Sequence, residues 1–147
     1  MPAARIVTHV SSTVRRPGIS AAKTRQLVET TLRAERINNA EISIAFVGRQ
    51  GIARINRKYL GHEGPTDVIS FGMGSTAPGV PLVADIYVCP DVARQNAKRT
   101  GVPEREEIAR LVIHGTLHVA GYDHPEGERR MQSVMWKKQE RILADAN

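Results

Sequence analysis

Three of the chain's five histidines fall within eleven residues, in the stretch HGTLHVAGYDH at positions 114–124. His114 and His118 stand four apart, behind Ile108, Leu111 and Val112, whose spacing predicts a helix. Two imidazoles so placed leave the same face of that helix. Gly121 then lets the chain leave the helix in a left-handed conformation and swing His124 back toward that face. Three neutral imidazoles supply three of the four positions around zinc and leave the fourth for water, which ionises near neutral pH there and becomes a nucleophile. A histidine pair at this spacing arises by coincidence on many helix surfaces. A third histidine placed after a helix-ending glycine is much harder to ascribe to chance. A structural zinc usually has four protein ligands, often thiolates, and Cys89 is the only cysteine. The expectation is one zinc ion per chain, held by His114, His118 and His124 and used for hydrolysis.

The same spacing occurs in the metzincin peptidase pattern H-E-x-x-H-x-x-G-x-x-H, but Gly115 stands where that pattern has its general-base glutamate. Glycine cannot carry the catalytic proton, which argues against peptidase chemistry. Its other reading is a close approach of the helix to a neighbouring element. Charge points to a different substrate. Lys and Arg number 21 against 15 acidic residues, for a net charge of +6 and a pI near 10.0. That excess suits a polyanion, although many basic surfaces are merely solvated. Arg54, Arg57 and Lys58 on one short helix, and Arg94, Lys98 and Arg99 on another, could follow a phosphate backbone; a solvated helix face is the ordinary alternative. The aromatic set is Phe46, Phe71, Tyr59, Tyr87, Tyr122 and Trp136. Most belong in a core, and sequence-specific base reading by stacking is not suggested.

Two carboxylates are candidate catalytic groups. Asp123 adjoins the third histidine, where it could orient an imidazole or handle a proton, or simply cap or face solvent. Asp85 interrupts the apolar run Leu-Val-Ala-Asp-Ile-Tyr-Val. It needs a partner if buried and has no special role if exposed. Asp67 reads as a residue that ties down the loop before its strand. Thr66 and Ser70 could bond backbone or phosphate.

The elements that must position these groups follow from periodicity and punctuation. Strands are expected at residues 4–10, 41–47, 66–71 and 82–89. Helices are expected from the cap Ser20 to about Arg36, where Asn38 and Asn39 break it, and over 50–59, with Ile52, Ile55 and Tyr59 on one face. A third opens at Pro90 and ends before Gly101; a fourth runs from Pro103 to about Ala120; a fifth covers about Glu126 to Ala144. Met73–Pro81, rich in Gly and Pro, reads as a loop. The order β-α-β-α-β-β-α-α-α describes a single α+β domain over 1–147, with a small mixed four-stranded sheet packed by about five helices. Ile108, Leu111, Val112 and Val119 are the expected core of the histidine helix. No run of apolar residues is long enough to span a bilayer, the N-terminus lacks a secretory core, and the single thiol suits a reducing compartment. A cytoplasmic location is expected.

Four segments together resemble the YbeY family of bacterial endoribonucleases, the rRNA maturation factors. The signature H-G-x-L-H-x-x-G-Y-D-H stands unchanged at 114–124, and P-T-D-V-[IL]-S-F stands at Pro65 to Phe71. An Asp-Ile pair stands at Asp85 and Ile86, and an Asn-x-x-Tyr segment at Asn56 to Tyr59. The resemblance implies an α+β fold with the three histidines lining a cleft. It also implies a metal-dependent RNase that cuts single strands, acting at the 3′ end of small-subunit rRNA and in ribosome quality control. Its implied partners are rRNA, the small ribosomal subunit and its assembly factors, with neither DNA nor membrane expected. Two positions depart from the pattern. Leu60 stands where the family has an arginine thought to serve cleavage, and Gly72 where proline is common. The remaining readings are a zinc peptidase or other metallohydrolase, and a non-catalytic assembly factor with a structural metal.

Overall fold

The computed structural model describes residues 5–72, 79–121 and 133–146. The elements are β1 Ile6–Ser12, α1 Ala21–Ala34, β2 Ala40–Phe46, α2 Arg49–Ile55, β3 Val68–Gly72, β4 Leu82–Val88, α3 Pro90–Thr100, α4 Glu104–Val119 and α5 Val134–Asp145. A π-helical turn, Asn56–Leu60, continues α2. The sheet order is β1-β2-β4-β3. β1, β2 and β4 run parallel, while β3 lies antiparallel on the edge against β4. The mixed four-stranded sheet and the five α-helices among the described residues agree with the fold class read from the sequence.

Alternation on the strands divides the sheet into two faces. Ala40, Ile42, Ile44 and Phe46 of β2 are buried, as are Leu82, Ala84, Ile86 and Val88 of β4. They meet Leu27, Val28 and Leu32 of α1, Ile108, Val112, Ile113 and Leu117 of α4, and Ile142 and Leu143 of α5 in one continuous core. The intervening residues Glu41, Ser43, Val83 and Asp85 are exposed on the other face. α2 covers only part of that face, where Ile52 packs with Ile69, Val47 and Cys89 and with the half-buried Phe71 and Tyr87.

Local chemistry fixes the helix ends. Ser20 and Ser133 cap α1 and α5, each hydroxyl accepting a backbone N–H, from Lys23 and Trp136 respectively; such a cap contributes roughly 1 kcal/mol. The Ser133 cap starts the last helix at Val134, whereas the sequence pattern had placed its start near Glu126; the residues before Ser133 lie outside the described set. α1 ends two residues short of the expected Arg36. Arg36 itself adopts φ 60°, and the Ile37 N–H returns to the Leu32 carbonyl at 2.9 Å. Gly101 (φ 74°) closes α3 where its end was expected, and Gly121 (φ 111°) follows α4 with the positive φ expected of it.

Candidate metal centre

α4 is buried along most of its length, and all four of its expected core residues, Ile108, Leu111, Val112 and Val119, are in the core. It lies tight against the sheet at Gly115. A Cβ there would stand 2.8 Å from Ile86 Cγ2, 3.1 Å from Ser70 Oγ and 3.3 Å from Val68 Cγ2. Ser70 donates its hydroxyl to the Gly115 carbonyl at 3.3 Å. The position that carries the base in metzincin peptidases therefore points into the sheet here, where no side chain fits.

With Gly115 against the sheet, the flanking histidines emerge to one side. The His114 and His118 rings lie 6.4 Å apart between centroids; His118 is exposed and His114 half-buried. His114 is held by α5: its Nδ1 lies 2.7 Å from Gln139 Oε1. Gln139 is only 1% exposed, and its Nε2 donates to Glu140 Oε2 at 3.0 Å. Arg110 grips Glu140 through two parallel bonds, Nε to Oε2 at 3.0 Å and Nη2 to Oε1 at 3.1 Å, and reaches Glu107 Oε1 through Nη1 at 2.7 Å.

This chain of bonds assigns a tautomer. An ionised carboxylate only accepts, so Glu140 must take the amide N–H of Gln139. Gln139 then presents its oxygen to His114, whose Nδ1 carries the proton. The lone pair of neutral His114 lies on Nε2, the form in which a histidine ligates a metal while its other nitrogen is held by an oriented acceptor. The same cluster shifts its own members. Burial pushes the Glu107 carboxyl above the usual range against the pull of Arg110. The hydrogen bonds and charges of Glu140 and Glu107 raise Arg110, overcoming its burial. The two imidazoles, one pre-set as a nitrogen donor and the second a turn away, are a donor set suited to zinc. His124 and Asp123 lie outside the described residues.

The structure does not bring Asp85 together with His114 and His118. Ile86 faces Gly115, so its neighbour Asp85 faces the opposite side of the sheet, exposed, in register with Ser43 and Phe71. A contact that orients an imidazole is made at His114 by Gln139, which the sequence reading missed. A signal was present: Met135, Gln139, Ile142 and Leu143 share a buried helical stripe, and an amide in such a stripe calls for a partner. Asp67 does tie down its loop, accepting from Val68 N–H at 2.8 Å and from Asn96 Nδ2 at 3.3 Å. Asn56 is buried and donates to the Gly64 carbonyl at 3.0 Å, anchoring the turn before β3. Arg94 is occupied by Asp91, Glu104 and the Arg16 carbonyl. Leu60 is exposed.

Comparison with known proteins places this arrangement. The family model described as endoribonuclease YbeY matches residues 11–147. Among curated proteins, endoribonuclease YbeY of Persephonella marina is 39% identical, over 81% of this chain and 78% of that one. The Geobacter sulfurreducens protein of the same name is 33% identical, over 92% of each. The Chlorobium luteolum protein, also so named, is 42% identical over 71% of this chain and 75% of its own. The solution structure of a Thermotoga maritima protein shares the fold at a TM-score of 0.64 and 24% identity, covering 95% of this chain and 89% of that one. No helix among the described residues is long and apolar enough to cross a membrane. The chain, with its histidine signature unbroken in sequence and beginning on α4, and its Gly115 seated against the sheet, belongs to the endoribonuclease YbeY family.

Proposed function

We propose that this protein is a zinc-dependent endoribonuclease that cuts single-stranded RNA, with His114, His118 and His124 holding one zinc ion per chain. The observation that carries the reading is the His114–Gln139–Glu140–Arg110 chain. A buried amide between a histidine and a fixed carboxylate has no need to be there for packing alone, yet it sets the imidazole tautomer that a metal requires. The metal would act as a Lewis acid at the scissile phosphodiester. The protein's own part is to hold the imidazoles in place through α5, to present cations to the phosphate backbone, and to keep position 115 bare. Restoring a carboxylate there would clash with Ile86, which tells against a peptidase.

The names of its relatives and the net charge of +6 favour RNA as the substrate. Within that reading the protein acts in the cytoplasm on rRNA, at the 3′ end of the small-subunit RNA and in ribosome quality control, in company with the small subunit and its assembly factors. The test is cleavage of a labelled unstructured RNA beside a casein substrate. RNA is cut and casein is not, and half-saturation moves to higher RNA concentration as salt rises, since phosphate contacts release counterions. Proteolysis of casein without cleavage of RNA overturns the assignment.

A further inference from the structure

The face of the sheet away from α4 carries a group of aromatic rings that neither the metal centre nor the main core uses. The wider turn at Asn56–Leu60 rotates Tyr59 out of line with Ile52 and Ile55. Tyr59 is thus 60% exposed, the second most exposed of the large hydrophobic residues described, although the chain has few aromatic residues. It is not loose. Its ring centroid lies 5.4 Å from that of Phe71 in an edge-on contact, and Phe71 in turn lies 6.2 Å from Tyr87. Beside this row, Lys58 Nζ sits 5.2 Å from the Tyr59 centroid; the preceding Arg57 makes an exposed pairing with Glu63 at 3.7 Å. Opposite Phe71, the middle ring of the row, stands the exposed carboxylate of Asp85. The row is also close to the histidine helix. Phe71 points to the outer face, but its neighbours on the edge strand, Ser70 and Gly72, touch α4 at Gly115 and Val119.

A solvent-facing tyrosine backed by Phe71, with the Lys58 ammonium beside its ring, has the chemistry of a stacking residue for an unpaired nucleobase. Every base has a π-face, so such a site binds single strands without reading sequence, and each stacked base contributes about 1–3 kcal/mol. The charges set the direction of the strand. Phosphates belong beside Lys58 and are repelled from Asp85, whose oxygens are acceptors for base amino groups. Resting on the RNase reading above, we infer that Tyr59, backed by Phe71 and Tyr87, stacks a base of the RNA strand as it passes the β3 edge, with Lys58 leaving the ring to contact its phosphate.

The test is a two-by-two comparison of half-saturating concentration in single-turnover cleavage. Wild type and Tyr59→Ala are each given an unstructured RNA and the same RNA with abasic sites flanking the cut. Wild type should lose about 5- to 150-fold with the abasic strand, the stacking energy above expressed as a ratio. Tyr59→Ala should lose the same on normal RNA and nothing further on the abasic one, at unchanged maximal rate. Tyr59→Phe should behave as wild type, and Lys58→Ala should flatten the salt dependence without altering the response to abasic sites. Because Tyr59 is exposed, its truncation leaves the core intact, and circular dichroism of the variant checks this. Normal half-saturation in Tyr59→Ala, or an additive further loss on the abasic strand, overturns the stacking site while leaving the RNase reading intact. A wild-type protein that neither binds nor cuts RNA overturns both.

Discussion

Gly115 offers a test of why this helix lies where it does. A glycine inside a helix costs about 1 kcal/mol relative to alanine, so on propensity alone Gly115→Ala and Gly51→Ala would both stabilise the fold. Their surroundings differ. A methyl at Gly51 would meet only Val47 Cβ at 3.6 Å, an ordinary contact. A methyl at Gly115 would meet Ile86 Cγ2 at 2.8 Å. Ile86 cannot turn aside: it is fully buried, β-branched and in a strand paired on both sides. Overpacking of this kind costs about 1–3 kcal/mol. Gly115→Ala should therefore fall below Gly51→Ala by about 1–3 kcal/mol, and between neutral and about 2 kcal/mol below wild type once its own helix gain is counted. At roughly 3–4 °C per kcal/mol for a domain of this size, the two alanine variants should melt about 3–12 °C apart. Thermal and urea unfolding followed by circular dichroism measure the gap. Gly115→Glu should fare much worse, since it drives an unpaired charge against the sheet, and it should gain no peptidase activity. If Gly115→Ala proves as stabilising as Gly51→Ala, the tight approach of α4 to β3 and β4 is wrong, and with it the explanation for the missing glutamate.

Gln139→Leu keeps the volume of the side chain but removes the acceptor from His114 Nδ1; zinc affinity, measured by competition with a chelating dye, should drop about 10- to 100-fold, and an unchanged affinity would show that the amide does not position the ligand. Leu60→Arg places a guanidinium on an exposed position beside Tyr59 and should raise the single-turnover cleavage rate by stabilising charge at the phosphate; no change would mean that Arg57 or Lys58 already serves. Arg36 pays for a left-handed φ of 60°, so Arg36→Gly should raise the free energy of unfolding by about 1 kcal/mol in urea titration, and a loss of stability would show that its side chain matters more than its backbone.

Much of this was legible in the residues because the signals were local. Ser20, Pro90, Gly101 and Gly121 mark helix ends through their own chemistry, and alternation in β2 and β4 announces which side faces the core. The order of elements followed from these marks. Contacts between distant segments were not legible in the same way. Nothing beside Gln139 in sequence announces His114, because the pairing depends on how α5 crosses α4. Asp85 looked anomalous in an apolar strand, but it is exposed on the open outer face of the sheet, where a charge is readily solvated. Tyr59 was placed with Ile52 and Ile55 by ordinary helical periodicity, which the π-helical turn breaks. The left-handed Arg36 also escaped notice, since no glycine or asparagine marked the position.

The central claim is that the histidines on and after α4 hold a zinc ion on which RNA cleavage depends. It is tested most directly by stripping the protein of metal and titrating zinc back while following single-turnover cleavage of an unstructured RNA. The account predicts no cleavage by the stripped protein and full recovery at about one equivalent of zinc per chain. His118→Ala, which alters an exposed side chain, should stay folded and recover nothing at any zinc concentration. Undiminished cleavage by the stripped protein, or a wild-type rate in His118→Ala, would contradict it.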